Sequence, residues 1–371
     1  MVKIRVGVLF GGRSGEHEVS LLSAESVMRA LDRGKYEVVP IGITREGRWL
    51  TDGNPMEELK LLASGTDQTP LRLGQAEQGP VAASVNERRE LVPGAREGLP
   101  RVDVVFPVLH GTYGEDGTVQ GLLELANIPY VGSGVLGSAL AMDKAAMKAV
   151  FSAAGFPMAA SILVMRWEWR RHPDQIRRKV EEELGYPCFV KPVNLGSSVG
   201  ISKVHAREEL APALDLASRY DRRLLVEQAI NAREIECSVL GNDAPIASVP
   251  AEIIPRREFY DYEAKYLDDR TELIVPADLP PATIAVVQDL AVRAFMALDC
   301  AGMARADFFV DKVTGSVYIN ELNTIPGFTS VSMYPRMWEA SGIPYPELLN
   351  RLIELAFERH KERSSMSTSY R

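Results

Sequence analysis

The sequence predicts a mixed α/β fold that begins with a parallel α/β domain, and three observations indicate it. Apolar runs at residues 4–10, 36–43 and 102–109 are typical of strands, and the last is the near-continuous kind that is buried on both faces of a parallel sheet. Between the first two runs, residues 19–31 carry apolar side chains at helical spacing. Strand-like segments dominate after residue 185, which indicates a different organisation in the rest of the chain.

Composition places the chain among ordinary globular proteins. Hydrophobic residues make up 46% of the 371 residues and charged residues 25%, which excludes a disordered chain, a collagen-like fibre and a coiled coil. At roughly 150 residues per domain, this length predicts two to three domains. The net charge of −8 argues against a nucleic-acid partner, which needs a basic surface, but leaves room for local basic pockets that hold anions.

Cysteine usage and the N-terminal sequence predict a cytoplasmic protein. Cys188, Cys237 and Cys300 lie far apart without paired spacing, so we expect buried thiols rather than a disulfide frame or a zinc site. The start MVKIRVGVLFGG has too short an apolar stretch for a signal peptide. No run of about 18 apolar residues occurs, so the sequence predicts no contact with a membrane through a spanning helix.

The remaining elements are predicted in chain order. Residues 54–100, with Gly, Gln, Thr and Pro crowded into 64–80, predict an insertion with little core of its own. A Gly-Ser-Gly turn begins a long helix over 133–154. An apolar stripe at 348–356 predicts a C-terminal helix, and the polar sequence from His360 predicts a frayed tail. Further strands are predicted at residues 188–191, 201–204, 224–227, 234–240, 304–310 and 317–323.

These patterns also predict where the domains begin and end. The change in strand content places boundaries near residues 135 and 225. The predicted segments are an N-terminal α/β domain at 1–135, a central domain at 136–224, a C-terminal domain at 225–360 and a tail at 361–371.

The strongest chemical signal is KPVNLGSSVG, at residues 191–200. A strand delivers Lys191, Pro192 ends that strand, and a loop rich in Gly and Ser leads to the next strand. Such a loop lets backbone N–H groups approach phosphate oxygens, and the lysine adds positive charge. A hairpin loop with a surface lysine is the alternative. The chain has no Walker loop, because its only Gly-Lys pair, at 34–35, lacks a following Ser or Thr.

The second signal is a pair of strands around a turn at 311–315. Pairing residue 310 with 316 across this turn would place Arg305 opposite Glu321 and all odd positions on one face. Carboxylate and amide oxygens on such a face suit Mg²⁺, and an arginine beside them can stabilise developing negative charge. A solvated strand face with an ion pair is the alternative, although apolar neighbours argue for partial burial. The residues on this predicted face are Arg305, Asp307, Phe309, Val317, Ile319, Glu321 and Asn323.

Other polar side chains lie at predicted strand ends. Glu227 ends one strand and Glu234 begins the next, where carboxylates can bind an adenine amino group or ribose hydroxyls; exposed loop glutamates are the alternative. His110 follows the buried strand at 102–109, and Glu16 follows the first strand at the start of a helix. Both therefore lie at the carboxyl edge of the sheet, where α/β proteins bind ligands. A capping or core histidine is the alternative for His110.

A Gly-rich segment offers a competing interpretation. Residues 132–137, GSGVLG, match the dinucleotide-binding pattern and precede a predicted helix. The acidic residue expected about 20 positions later is missing, because 152–157 reads SAAGFP, and no clear second strand follows at the required spacing. An NAD-dependent oxidoreductase is nevertheless an alternative of another class, as is a binding module without catalysis.

The chain resembles the D-alanine–D-alanine ligases of the ATP-grasp family in nine blocks that occur in the same order: GGRSGEHEVS, HGTYGEDGTVQG, PYVGSG, MDK, VKPVNLGSSVG, FYDYEAKY, RADFFV, ELNTIPGFTS and SMYP. Only residues 54–100 and the tail are not covered. The resemblance implies an ATP-grasp fold after the N-terminal α/β domain. It also implies the ATP-dependent ligation of two D-alanines through a D-alanyl phosphate, for peptidoglycan precursor synthesis, by a homodimer.

The resemblance implies an ATP site between the last two domains. Lys144 and Lys191 would hold phosphates under the loop at 196–200, and Lys265 would approach the γ-phosphate from a mobile loop at 259–269. The implied ATP contacts are Lys144, Lys191, Gly196, Ser197, Ser198, Val199, Glu227, Gln228, Ile230, Glu234, Lys265, Phe309, Asn320 and Glu321, with Glu227 and Glu234 on adenine and ribose. Two Mg²⁺ or Mn²⁺ ions would be bound by Asp307, Glu321 and Asn323.

Substrate and catalytic roles follow from the same resemblance. Glu16 would take the ammonium of the first D-alanine, and Arg305 would stabilise the oxyanion together with the backbone of Gly327. Ser332 and the Met333 backbone would hold the carboxylate of the second D-alanine. The implied substrate contacts are Glu16, His110, Arg305, Ser332 and Met333, and the implied catalytic residues are Glu16, Ser197, Tyr266, Arg305 and Gly327.

Two positions bear on the second substrate. Tyr266 in EAKY is the residue that D-alanine-specific members carry, which favours an amine as the second nucleophile. A D-alanine–D-lactate or D-alanine–D-serine ligase on the same scaffold is the closest alternative. Met333 replaces the leucine that often follows the serine, which a backbone contact should tolerate.

Overall fold

A computed structural model describes residues 2–63, 101–196, 199–254, 272–329 and 331–367 of the protein. Within these ranges, no helix has the length and apolar character needed to cross a membrane. The strands of the described residues form three sheets, and the helices pack against them.

The first sheet confirms the predicted parallel α/β arrangement. Its strand order is β3-β2-β1-β4, and β1 pairs in parallel with both β2 and β4. Because β1 and β4 are parallel neighbours, their carboxyl ends lie side by side, and the segments that follow them meet at one edge. The strands are β1 (Ile4–Gly11), β2 (Tyr36–Ile43), β3 (Trp49–Leu50) and β4 (Val104–Val108). The helices of this part of the chain are α1 (His17–Ala30), α2 (Pro55–Ala63) and α3 (Thr118–Leu125).

Helix α2 corrects the start of the insertion predicted over 54–100. Met56 and Leu59 on this helix are buried in the same hydrophobic cluster as strand β1. The start of the predicted insertion is therefore part of the core, because an apolar face on a short helix covers the sheet. Residues 64–100 lie outside the described residues.

The long helix predicted over 133–154 is two helices, α4 (Val135–Met142) and α5 (Lys144–Ala153). Asp143 between them has extended backbone angles, and its side chain accepts a hydrogen bond from the N–H of Ala146 at 2.9 Å. Asp143 thus caps a new helix rather than continuing the first. This break makes Lys144 the first residue of α5, where its Nζ donates to the carbonyl of Leu195 at 3.0 Å.

Two glycines of the dinucleotide-like segment 132–137 have structural explanations: Gly132 has a φ of 98°, and Gly137 packs closely against another backbone segment. A Cβ atom placed on Gly137 would lie 2.5 Å from the carbonyl oxygen of Asp299. A Cβ on Gly302 would lie 3.1 Å from the backbone nitrogen of Gly132. Two backbone segments therefore approach each other here at distances that a side chain would prevent, so the pattern has a packing explanation that needs no dinucleotide.

Gly137→Ala should lower the free energy of unfolding by about 1–3 kcal/mol, because the added methyl meets a backbone carbonyl that cannot move aside cheaply. Gly121 on α3 is a matched control, since a Cβ there would meet nothing within 4 Å. Replacing that helical glycine with alanine should raise stability by roughly 0.5–1 kcal/mol. Chemical denaturation of both variants measures the two changes, and equal shifts of the same sign would contradict the packing argument.

The second sheet is antiparallel, with the strand order β5-β8-β6-β7. Its register places Phe189 opposite Glu227 and Lys191 opposite Leu225. Lys191 and Glu227 are therefore diagonal neighbours on the same face of the sheet. The strands are β5 (Ser161–Met165), β6 (Cys188–Pro192), β7 (Ser202–Val204) and β8 (Arg223–Gln228), and the helices are α6 (Arg166–Arg171), α7 (Pro173–Glu183) and α8 (Arg207–Ala217).

The third sheet is also antiparallel and follows the order β12-β11-β9-β13-β14, with β10 paired to β9. Helix α9 buries Val287 and Phe295 in the same hydrophobic cluster as Phe308 of β13. The strands are β9 (Ala232–Gly241), β10 (Ile246–Ala247), β11 (Ala251–Ile254), β12 (Glu272–Ile274), β13 (Gly302–Asp311) and β14 (Val317–Asn323). The helices are α9 (Pro281–Ala297), α10 (Met333–Ala340) and α11 (Tyr345–Ser365).

Helix α11 returns to the first sheet. Its Leu348 and Leu352 are buried in one cluster with Val6 and Phe106. The helix continues to Ser365, into the segment 361–371 predicted as a tail. The C-terminal chain thus covers the N-terminal sheet and fixes it against the third sheet.

Candidate active site

Two adjoining cavities, of about 880 Å³ and about 690 Å³, lie where the three sheets meet. Lys144, Arg305 and Glu321 line both of them, so these side chains stand at the passage from one cavity to the other. The larger cavity reaches the carboxyl edge of the first sheet at Glu16 and His110. The smaller one lies between the second and third sheets.

The smaller cavity brings together most of the residues predicted to contact ATP. They are Lys144, Lys191, Glu227, Gln228, Ile230, Glu234, Phe309, Asn320 and Glu321. Gly196 lines the larger cavity instead, and Val199 is a described residue that lies in the wall of neither. Ser197, Ser198, Lys265 and Tyr266 lie outside the described residues.

Lys191 and Glu227 form a buried ion pair in the wall of the smaller cavity. The Lys191 Nζ atom donates to Glu227 Oε2 at 2.5 Å, and the Glu227 side chain is 2% exposed. Burial lowers the pKa of Lys191, but Glu227 and further acids outweigh it and raise the pKa above its ordinary value. The lysine is therefore positively charged where the sequence predicts a phosphate.

The polar face of the third sheet is built from three rows that run across β9, β13 and β14. The middle row joins Glu236, Asp307 and Glu321. Carboxylates directly opposite each other are unfavourable unless a cation compensates them. The flanking rows are Ser238, Arg305 and Asn323 on one side, and Glu234, Phe309 and Tyr318 on the other.

The register of β13 and β14 corrects the predicted pairing of 310 with 316. Val310 pairs with Val317, because the turn is longer than predicted, and this turns Val317 and Ile319 into the hydrophobic core instead of the polar face. Asp307 pairs with Glu321, so Asn320 is an extra residue in a β-bulge. Arg305 consequently lies opposite Asn323 rather than Glu321. The bulge returns Glu321 to the polar face, so the predicted polar group assembles through a different register.

Arg305 supplies the positive charge that the acidic row needs. Its Nε and Nη2 atoms donate to the two carboxylate oxygens of Asp307, each at 2.7 Å, and Nη2 lies 3.1 Å from Glu236 Oε1. Burial lowers the pKa of Arg305, but Asp307 and Glu236 outweigh it and hold the pKa well above its ordinary value. Asn323 Nδ2 donates to Asp307 Oδ2 at 3.0 Å, and Lys144 Nζ lies 3.6 Å from Glu321 Oε2.

Glu16 lies at the N-terminal end of α1 and is 8% exposed in the larger cavity. Two glycines make room for its carboxylate. A Cβ on Gly111 would lie 2.7 Å from Glu16 Oε2, and one on Gly196 would lie 3.1 Å from the same atom. Gly111 also has a φ of 77°, which other residues adopt with strain. The glycines of HGTYG and NLGSS therefore frame one carboxylate.

His110 is a buried histidine that connects two walls of the larger cavity. Its Nδ1 atom is 3.0 Å from the carbonyl of Ile325, and its Nε2 atom is 3.1 Å from Ser23 Oγ. Ser23 in turn accepts from the N–H of Phe328 at 3.4 Å. Burial lowers the pKa of His110 to about 4, so the ring is neutral at physiological pH. Through these contacts it holds the segment around Gly327 in place. His110 therefore lies in the cavity wall, as predicted, and is also the buried core histidine of the alternative.

Glu115 and Glu236 also line this cavity, although the sequence analysis did not select them. Glu115 accepts from the N–H groups of Gly111 at 2.7 Å and Ile325 at 3.1 Å, and burial together with Glu16 raises its pKa to about 8. An acid in a glycine-rich loop after a buried parallel strand was the available signal for Glu115. Two-residue spacing from Glu234 was the signal for Glu236.

The far end of the larger cavity is the start of helix α10. Ser332 is the N-cap residue of this helix, and its Oγ accepts from the N–H of Thr329 at 3.1 Å. Gly327 passes close by, since a Cβ there would lie 3.1 Å from Ser332 Oγ. Backbone N–H groups at a helix start favour anions, so this end suits a carboxylate.

Similarity to known proteins assigns the chain to a family. Residues 5–133 match the family model for the N-terminus of D-ala D-ala ligases, and residues 150–354 match the model for the C-terminus. The chain belongs to the D-alanine–D-alanine ligase family. It is 51% identical to the D-alanine–D-alanine ligase of Heliobacterium modesticaldum, with 99% of this chain and 98% of that relative covered. The D-alanine–D-alanine ligase of Geobacillus kaustophilus is 50% identical over 100% of the chain.

Solved structures agree with this D-alanine–D-alanine ligase family assignment and with the predicted ATP-grasp fold. The D-alanine–D-alanine ligase of Coxiella burnetii superposes with a TM-score of 0.79 at 40% identity, covering 98% of this chain and 96% of that one. The VanG D-Ala:D-Ser ligase of Enterococcus faecalis superposes with a TM-score of 0.78 at 37% identity, covering 96% and 100%. The scaffold is therefore shared by ligases that differ in their second substrate.

Proposed function

We propose that the protein joins two D-alanines to D-alanyl-D-alanine at the expense of ATP, for peptidoglycan precursor synthesis. The observation that carries the proposal is the pair of cavities that meet at Lys144, Arg305 and Glu321. A ligase of this kind must pass a phosphoryl group from a nucleotide to an amino acid. Two pockets with a charged common wall suit that transfer.

The nucleotide is assigned to the smaller cavity. Lys191 and Lys144 would hold phosphates, and Glu227 and Glu234 would bind the adenine amino group and the ribose; all four line this cavity. Phe309 adds an aromatic surface in the same wall. Ser197, Ser198 and Lys265 keep their implied roles over the phosphates as part of the proposal.

The two D-alanines are assigned to the larger cavity. Glu16 would bind the ammonium of the first, with Ser197 and Tyr266 hydrogen-bonded to it as the resemblance implies. Ser332 and the Met333 backbone would bind the carboxylate of the second at the start of α10. The reacting groups would then meet between these ends, beside Arg305 and Gly327.

Divalent cations are part of the proposal, as Mg²⁺ or Mn²⁺. Asp307, Glu321 and Asn323 offer two carboxylates and an amide on one face of the sheet, and oxygen donors of this kind are those that Mg²⁺ prefers. Among the described residues, no group of three His, Cys, Asp or Glu is arranged to hold a metal. In the proposal, the amide of Asn323 is the third donor beside the two carboxylates. When bound, the cations would neutralise charge on the phosphates.

The chain would act mainly by positioning and charge compensation. The carboxylate of the first D-alanine attacks the γ-phosphorus of ATP, the bond to the β–γ bridging oxygen breaks, and ADP and an acyl phosphate form. The amine of the second D-alanine attacks the carbonyl of this acyl phosphate and loses a proton, the bond from the carbonyl carbon to the phosphate oxygen breaks, and phosphate leaves. Arg305 and the backbone of Gly327 would stabilise the oxyanion that forms in this attack. Lys144, at the passage between the cavities, would stabilise the negative charge of the phosphoryl group during its transfer.

A homodimer and a cytoplasmic location complete the proposal. Both rest on the family, and the location agrees with Cys188, Cys237 and Cys300, which are buried thiols.

We expect ATP, Mg²⁺ and D-alanine alone to give phosphate release and a product with the mass of D-alanyl-D-alanine. Phosphate release that requires added D-serine or D-lactate would contradict the proposal and favour the alternative ligases. This test is needed because the chain is also similar to a D-Ala:D-Ser ligase. A thermal shift with ATP and Mg²⁺ but not with NAD is expected in parallel, because a ligand stabilises only a protein that binds it. Stabilisation by NAD would favour an oxidoreductase.

A further inference from the structure

Lys148 is a buried lysine to which the proposed function gives no role. It lies one turn after Lys144 on helix α5, and the residue is 6% exposed. Its Nζ atom contacts Glu227 Oε1. Lys191 and Glu227 line the smaller cavity, whereas Lys148 is not among the described residues in its wall. Lys148 therefore lies on the side of Glu227 that faces away from the cavity.

Glu227 is therefore shared between two lysines. Lys191 donates to Oε2, and Lys148 lies at Oε1. Burial raises the pKa of Glu227, but the two lysines outweigh it and lower the pKa to about 2. The carboxylate is thus ionised at neutral pH, and the three groups together carry one more positive than negative charge.

The arrangement matters when a nucleotide binds. The Lys191 ammonium must then interact with phosphate oxygens as well as with Glu227, and a Glu227 oxygen must accept a hydrogen bond from the adenine amino group. A buried carboxylate that loses its only cation is strongly unfavourable, because desolvation is no longer compensated. A second lysine behind the carboxylate removes this difficulty, since Glu227 keeps one ion pair whatever Lys191 does.

We propose that Lys148 is a positioning residue of the nucleotide site that keeps Glu227 compensated and oriented while Lys191 binds the phosphates of ATP. The inference rests on the proposed function, in that it takes the smaller cavity as the ATP site. Lys148 itself would touch no part of the nucleotide.

The proposal is tested by calorimetric binding of ATP with Mg²⁺, without D-alanine. Lys148→Met should weaken ATP binding by about tenfold or more, while KM for D-alanine changes by less than about twofold. Lys179→Met is the matched control, because Lys179 is an exposed lysine on helix α7, and it should bind ATP like the wild type. Melting temperatures show whether each variant is folded.

A double-mutant cycle with Glu227→Gln separates charge compensation from packing. In the Glu227→Gln background, adding Lys148→Met should change ATP affinity by less than about twofold, because no carboxylate remains to be compensated. An equal loss in both backgrounds, or unchanged ATP binding in Lys148→Met, would overturn the inference. A wild type that binds ATP but makes no dipeptide would count against the proposed function alone, since the binding cycle does not depend on turnover.

Discussion

Arg305→Lys should lower kcat by about a hundredfold or more while the protein stays folded. The guanidinium of Arg305 holds both oxygens of Asp307 and also lies near Glu236. A lysine keeps the charge, but a single ammonium cannot reproduce the planar two-pronged contact. The misplaced cation would no longer meet the oxyanion beside Gly327, and removing one such donor typically costs about 10²–10³ in rate.

The measurement is steady-state dipeptide synthesis together with the melting temperature. Arg5→Lys is the matched control, since Arg5 also holds both oxygens of an aspartate, Asp103, but near the start of strand β1 and in the wall of neither cavity. This partly exposed pair should contribute little to stability, and Arg5→Lys should leave kcat unchanged. Wild-type kcat in Arg305→Lys would remove Arg305 from the catalytic group. Unfolding of Arg305→Lys would instead give it a structural role in the acidic row.

The sequence predicts the parallel sheet well because buried strands carry a strong local signal. Strand β2 is predicted with the bounds that the structure has, and β1 is predicted to within one residue. Their ends are marked by changes from apolar to polar or turn-forming residues, which depend on neighbours in the chain. Predictions from local patterns of this kind hold because packing in the core favours the same periodicity of apolar residues.

Helix α5 shows where local patterns fail. The Ala, Met and Leu content of 133–154 favours one continuous helix, but Asp143 ends the first helix and caps the second. Asp143 also forms an ion pair with Arg223 on strand β8. A partner so far along the chain cannot be inferred from helix propensity. The break between the two helices nevertheless affects the geometry of the site, because it sets the position of Lys144.

The polar residues on the face of β13 and β14 were predicted correctly, but the register, and with it the placing of Val317 and Ile319, was wrong. Two shifts compensate each other: the longer turn moves Val317 into the core, and the bulge at Asn320 returns Glu321 to the cleft. Residue types indicate which side chains bear chemistry, but turn length and bulges depend on packing against the rest of the sheet. The bulge also explains how adjacent residues, Asn320 and Glu321, can both line the smaller cavity.

The acidic net charge, finally, does not oppose phosphate binding. Lys144, Lys191 and Arg305 are each paired with acids inside the cleft, so their charge is local and oriented. The net charge is a sum over the whole chain and contains no information about such local pairs. It argues against a nucleic-acid partner but cannot indicate where an anion would bind.

Glu321→Gln should lower kcat by about 10³-fold with the fold retained. Glu321 faces both cavities, lies opposite Asp307 and is 3.6 Å from Lys144 at the closest atoms. The amide has the same size but no charge, so it weakens the proposed cation site and leaves Lys144 without its acid. We also expect the Mg²⁺ concentration for half-maximal activity to rise by about tenfold, because one charged oxygen donor is lost.

The Mg²⁺ dependence distinguishes the proposed role from the alternatives. It is measured twice, as dipeptide synthesis and as the thermal shift produced by ATP at increasing Mg²⁺, so that binding is observed apart from turnover. Glu347→Gln serves as the control, because Glu347 is an exposed glutamate paired with Arg351 on α11 and should behave like the wild type. A lower kcat with an unchanged Mg²⁺ dependence would assign Glu321 to the orientation of Lys144. Unchanged dipeptide synthesis in Glu321→Gln would remove Glu321 from the catalytic group. A wild type that binds ATP but makes no dipeptide would favour a binding module without catalysis.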